Sequence, residues 1–181
     1  MTTLYTIGHG NRAVEDFTAL LGSARIECLI DVRAYPRSRR NPQFARIALD
    51  PFLKAHAIHY AWEGEALGGM RRPRADSPHV ALADAAHRGY ADHMATAEFN
   101  GALERLVAAG RARATAFMCA ETNPEHCHRS FIADALLARG VEVLHLMGVQ
   151  DVRAHALREG ARVVPGGQVV YDSCVQLGLA L

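Results

Sequence analysis

An α/β fold with a mainly parallel central sheet and helices on both faces is what this sequence predicts. Three observations carry the expectation. Short apolar runs at residues 4–8, 28–32, 58–62, 114–118 and 141–146 have the length of strands. Between several of them, apolar residues recur at helical spacing, and strands that alternate with helices build parallel sheets covered on both sides. The chain has 181 residues, half of them hydrophobic, which is enough for one compact core. Residues 1–181 are therefore expected to form a single domain.

In chain order, the first strand (4–8) leads into the turn His9-Gly10-Asn11. Val14, Phe17, Leu20 and Leu21 then share a helical stripe that stops at Gly22. A second strand (28–32) ends around Asp31 and Arg33. Residues 34–47, with Pro36, Pro42 and four arginines but no periodicity, read as loop. Asp50-Pro51 forms a cap and first residue for a helix over 51–56. The third strand (58–62) is followed by the Gly68-Gly69 loop, and 79–93 is helical in part. Thr96 caps a helix over 97–109 with the stripe Phe99, Leu103, Leu106 and Val107, stopped by Gly110. The strand at 114–118, a loop, a helix at 130–139 and the strand at 141–146 complete the alternation. In the tail, 151–181, one helix and a hairpin over 162–171 turning at Pro165-Gly166-Gly167 are expected.

Composition narrows the classes of function. No apolar run approaches the roughly 20 residues of a membrane span, and Met1-Thr2-Thr3 opens no signal peptide. A cytoplasmic protein is expected, with no membrane partner and with Cys28, Cys119, Cys127 and Cys174 as reduced thiols. The net charge is +1, but residues 33–74 hold nine basic and three acidic side chains, a local balance of +6. A basic region of this kind suits an anionic partner, and arginine forks suit phosphate and carboxylate.

In open parallel sheets, ligands sit beyond the carboxyl ends of the strands. Four polar sets follow strands here: His9 to Arg12, Asp31 to Arg37, Glu63 to Arg71, and Cys119 to Arg129. They are expected to converge on one pocket. The last set is the densest in reactive groups. Cys127, His128 and Arg129 stand at a helix start, where free N–H groups favour an anion and lower a thiol's pKa. Either Cys127 or Cys119 can then serve as nucleophile, with an imidazole as base, or the two can form a redox pair. The same groups offer a metal reading: Cys119, Cys127, His128 and His9 as a tetrahedral set, although the Cys-x7-Cys-His spacing is not the common zinc pattern. His9, between two glycines, sits where backbone approaches a ligand closely. Tyr60, Trp62 and Tyr90 are rings able to stack on a base, and His145 at the end of the last strand reads as a core histidine.

The pieces Tyr5-Thr6-Ile7-Gly8-His9, Asp31-Val32-Arg33 with Pro36 and Ser38, Leu67-Gly68-Gly69, and Met118-Cys119-Ala120-Glu121 followed by Pro124 and Cys127-His128-Arg129 span residues 4–146. In these the chain resembles the bacterial and archaeal proteins grouped as domain of unknown function 488; the segment 147–181 is less typical. The resemblance implies a shared site and names no reaction. Gly10 stands where many members carry serine, so no hydroxyl role is expected there.

The expectation from all this is a thiol-dependent enzyme, a hydrolase, transferase or redox enzyme, acting on a small phosphate- or nucleotide-like anion. Cys127 or Cys119 supplies the thiolate and His128 assists proton transfer. Glu121 and Asp31 orient partners. His9, Arg33, Arg37, Arg129, Gly68 and Gly69 form the binding surface. The alternatives are a nucleic-acid-binding module using residues 33–74 and a metal-binding protein using Cys119, Cys127 and His128. No cofactor is named by the residues, and the oligomeric state is left open.

Overall fold

Six strands form the central sheet of the protein. The computed structural model describes residues 2–172. The sheet order is β3-β2-β4-β1-β5-β6, with β1 Thr3–Gly8, β2 Cys28–Asp31, β3 His59–Trp62, β4 Thr115–Cys119, β5 Glu142–Gly148 and β6 Asp151–Ala154. The first five are parallel, and β6 runs antiparallel along β5. The predicted mainly parallel sheet is present.

The helices divide between the two faces. On one, α1 (Val14–Ser23) and α2 (Arg46–Ala55) bury Phe17, Leu20, Leu21, Leu49 and Leu53 against Ile7, Leu29, Ala116 and Met118. On the other, α3 (Gly64–Leu67), α4 (Ala85–His93), α5 (Ala97–Ala112) and α6 (Arg129–Leu137) pack Tyr90, Phe99, Leu103, Leu106 and Phe131 against Ile30, Val32, Phe117 and Val143. Buried strands covered on both sides need continuous rather than alternating hydrophobicity, and β2 and β4 are buried at every position.

The neighbours β1 and β4 send their chains in opposite directions. From β1 the chain passes through α1 to β2, on one side of the sheet order; from β4 it passes through α6 to β5, on the other. Such a divergence opens a crevice at the carboxyl ends. The loops extend the ladder there: His9 N–H donates to the Cys119 carbonyl (3.0 Å), Gly10 N–H to that of Ala120 (2.8 Å), and Val32 N–H to that of Met118 (3.0 Å).

Several boundaries differ from the sequence reading. Helix α2 begins at Arg46, and Asp50-Pro51 lies inside it rather than at its cap. The Leu49/Leu53 stripe outweighs the proline, which removes only the N–H that would reach the carbonyl of Ile47, an 87% exposed residue. Gly110 does not stop α5, which runs to Ala112; it is small because a Cβ there would come within 2.6 Å of the Leu4 side chain on β1. Within 79–93 only α4 is helical, capped by Asp84 accepting from His87 N–H. Helix α6 starts one residue earlier and ends two earlier than expected. One turn at Pro42–Phe44 interrupts the 34–47 loop. Among the described residues the tail has no helix: 151–154 is the edge strand β6. The hairpin appears as β7 (Ala161–Val164) and β8 (Gln168–Tyr171), with Gly166 and Gly167 at positive φ in its turn. Cys174 lies outside the described residues.

Candidate functional site

A cavity of about 740 Å³ occupies the crevice at the carboxyl ends of β1, β2 and β4. His9, Arg33, Arg37, Gly69, Cys119, Glu121 and His128 all line it, so most of the dispersed polar sets do meet. His9, Arg33 and Cys119 are placed there because they stand at the ends of strands whose register is fixed by hydrogen bonds, whereas Gly69 arrives after α3 and His128 just before α6.

At the floor lie two thiols and an imidazole. His128 precedes α6, and its Nε2 is 3.0 Å from the Val32 carbonyl. A carbonyl only accepts, so Nε2 carries the proton and Nδ1 presents a lone pair. That Nδ1 lies 3.8 Å from Cys119 Sγ and 3.8 Å from Cys127 Sγ. Cys119 (7% exposed) opens to the cavity, whereas Cys127 (3% exposed) sits behind it, receiving the Arg129 backbone N–H at 3.5 Å. The two sulfurs titrate as a pair. The Cys119 thiol donating to it, together with the charge of Arg129, outweighs the cost of burial and holds Cys127 well below the usual thiol range; donating that proton, together with burial, holds Cys119 well above it. The pair therefore readily gives up one proton and keeps the second.

Beside the thiols, a second group is built around Arg33. Its guanidinium clasps Asp31 through Nε to Oδ1 (2.9 Å) and Nη2 to Oδ2 (2.6 Å), and donates to the Phe44 carbonyl (2.8 Å) and to His9 Nε2 (3.2 Å). His9 stacks on Phe44 with ring centroids 4.4 Å apart, and its Nδ1–H donates to the Gly10 carbonyl at 2.8 Å. Burial, reinforced by Arg33, pushes the His9 pKa down to about 4, so its ring is neutral at pH 7 and accepts from Arg33.

The placements revise several expected roles. Asp31 keeps the orienting role expected of it: fully buried with both oxygens engaged, one also taking the Tyr60 hydroxyl at 2.6 Å, it holds Arg33 in place. Arg129 is not an anion clamp: at 1% exposure it lies behind the loop after β4, donating to Thr6 Oγ1 and to the carbonyls of Glu121 and Thr122. Gly68 is a packing glycine, since a Cβ would come within 2.2 Å of the Gly64 carbonyl oxygen; Gly69 does face the site, 3.2 Å from His128 Nδ1 by the same measure. His9 turns to Arg33 and is no member of the Cys119, Cys127 and His128 cluster. Tyr60 is tied to Asp31, and Trp62 donates to the Arg33 carbonyl and stacks with Arg46, which leaves Tyr90 as the one of the three rings lining this cavity. His145 is buried as expected and stands outside the cavity, bonded to His155.

Of the basic stretch 33–74, Arg33, Arg46, Arg71 and Arg74 are engaged within the protein. The guanidinium groups of Arg37 and Arg40, both exposed and both lining the cavity, make no hydrogen bond among the described residues. The cavity also gains Arg40, Asn41, His87 and Thr122, which sequence reasoning missed. Asn41 bonds the Gly10 carbonyl at 3.2 Å, and no local pattern announces that contact. His87 is brought in by the packing of α4, whose limits the sequence left vague.

Compared with known proteins, the chain matches a family model described as "Domain of unknown function DUF488" over residues 13–136. That span includes Cys119 to Arg129 and begins after β1. No curated protein and no solved structure matches the chain. Among the described residues no helix is long and apolar enough to cross a membrane.

Proposed function

This chain belongs to the DUF488 family, and we propose that its cavity carries out thiol chemistry on a small anionic substrate. The observation that carries the reading is the approach of Cys119 Sγ to a histidine nitrogen whose lone pair faces it, at the floor of a cavity rimmed by unpaired guanidinium groups. Of the two thiols, Cys119 is the nucleophile, because it is the one a molecule in the cavity meets. Its proton passes to the Cys127 thiolate or to His128 Nδ1, both adjacent. Arg37 and Arg40 draw in a phosphate or carboxylate by charge and bidentate hydrogen bonding. Glu121 stands on the exposed side of the cavity, where it can hold a hydroxyl or relay a proton. A working thiol pair belongs in a reducing compartment, which for this chain is the cytoplasm.

Alkylation of the native protein by iodoacetamide at pH 7, mapped by mass spectrometry, tests the assignment. Cys119 is expected to react first, phosphate to slow it, and Arg37→Gln with Arg40→Gln to remove the phosphate effect while leaving thermal stability unchanged. Labelling that occurs only after denaturation overturns the reading.

A further inference from the structure

The thiol pair and His128 have a second property that nucleophilic chemistry does not use. Cys119 Sγ, Cys127 Sγ and His128 Nδ1 all lie within 4.8 Å of one another, and both sulfurs stand 3.8 Å from the nitrogen. A tetrahedral zinc ion, with bonds of about 2.3 Å to thiolate and about 2.0–2.1 Å to imidazole, sets its S···N edges at about 3.6 Å and its S···S edge at about 3.8 Å. The two edges to the imidazole are thus already close to metal dimensions. The surroundings suit a metal as well. The Val32 carbonyl fixes the tautomer and ring orientation of His128 from the far side, which is how metal-binding histidines are commonly held. The Arg129 N–H supports Cys127 as a thiolate. Two sulfurs and one imidazole form a soft donor set, selective for zinc-class ions over magnesium or calcium.

We propose that Cys119, Cys127 and His128 form a Zn²⁺-class metal site with three protein ligands and a fourth position open to the anion cavity. Among the described residues no further Cys, His, Asp or Glu joins the three. Closed structural sites use four protein ligands, while three ligands leave a place for water or substrate. Here that place faces the space rimmed by Arg37 and Arg40, so a phosphate entering the cavity reaches the ion. Binding converts both sulfurs to thiolates, and the proton that the pair still held is released to solvent. The regulatory consequence rests on the thiol reading above: an ion on Cys119 occupies the lone pair needed for attack, so the metal-bound protein is the protected form and the metal-free protein the reactive one.

Titration of the reduced 181-residue chain with Co²⁺ tests this by spectroscopy, without any assay of activity. The expected result is a saturable 1:1 complex with sulfur-to-cobalt charge-transfer absorption and the intense visible bands of a tetrahedral ion, abolished by Zn²⁺. Cys119→Ser and Cys127→Ser should each reduce the charge-transfer absorption to about half, Cys28→Ser should leave it intact, and phosphate should shift the visible bands. Absence of charge-transfer absorption in the unsubstituted protein overturns the proposal, as does a spectrum indifferent to Cys127→Ser; visible bands indifferent to phosphate overturn the open position. Iodoacetamide labelling with and without Zn²⁺ separates the two readings. Cobalt binding by a protein whose Cys119 is not labelled leaves the metal site standing and removes the thiol enzyme. Rapid labelling without a cobalt spectrum does the reverse.

Discussion

Arg33 illustrates how far a residue's role can depend on its neighbours. From the sequence it is an arginine in a basic loop, equal to Arg37 four positions on. In the fold it is buried, with both carboxylate oxygens of Asp31, a carbonyl and a neutral imidazole around it. Removing one member of a buried ion pair leaves the other charge uncompensated, which costs about 3–5 kcal/mol. Asp31→Asn is therefore expected to lower stability by about that amount in urea unfolding and to free the loop that carries Arg37. A loss below about 1 kcal/mol would show that the pair is not the anchor of this wall. Cys119 and Cys127 were legible as candidates from their placement after a strand and before a helix. Which of them faces the cavity was not, because that depends on how the chain from 120 to 127 turns back under itself.

Elements were legible where apolar periodicity and burial agree, as for α1, α5 and the five parallel strands. They were misread where a local signal met a stronger packing force. Pro51 and Gly110 both look like boundaries, and both lie inside helices, because Leu49 with Leu53 and the approach of α5 to β1 decide otherwise. Glycines at the strand ends carry a different constraint. A Cβ on Gly8 would fall 1.9 Å from the carbonyl oxygen of Glu121, on the loop after β4, while one on Gly110 would meet side chains rather than backbone, Leu4 at 2.6 Å and Thr2 at 3.5 Å. Overpacking costs about 1–3 kcal/mol and more where backbone must move. Gly8→Ala is therefore expected to cost about 3 kcal/mol and to spoil the cavity, and Gly110→Ala about 1 kcal/mol with the cavity intact. Denaturation midpoints together with Cys119 labelling rates check both. Equal losses for the two would contradict the close seating of the loop on β1.

At the scale of the whole molecule, folding commits several histidines to neutral, buried positions. Burial pushes both His9 and His145 from the ordinary 6.5 down to about 4. For His145 the neighbouring His155 and Arg129 add to the effect. Above pH 6.5 neither state gains a proton, and stability is level with respect to these groups. Below it the unfolded chain takes up protons that the folded chain refuses until about pH 4, so stability falls through that window. The expected loss between pH 7 and pH 5 is about 2 kcal/mol for each of the two. Urea unfolding across this range measures it, and a flat profile would mean that the two rings are protonated in the folded protein. The same network ties the ends of the fold together: Asp134 on α6 receives the Tyr171 hydroxyl of the hairpin (2.8 Å) and His155 Nε2 (2.9 Å), an arrangement between positions 37 and 21 residues apart that no local pattern encodes.

By itself the sequence determined the α/β class, the order of the five parallel strands, and the concentration of chemistry between Cys119 and Arg129, because hydrophobic period and turn residues act over a few positions. Only the tertiary structure decided that β4 inserts between β2 and β1. That insertion carries Cys119 up beside His9 and Arg33, turns Arg129 inward to hold a loop, and leaves Arg37 and Arg40 as the exposed cations lining the cavity. The reason is that these contacts join residues roughly 80 to 120 positions apart, and such pairings are selected by the packing of the whole sheet rather than by any stretch of chain.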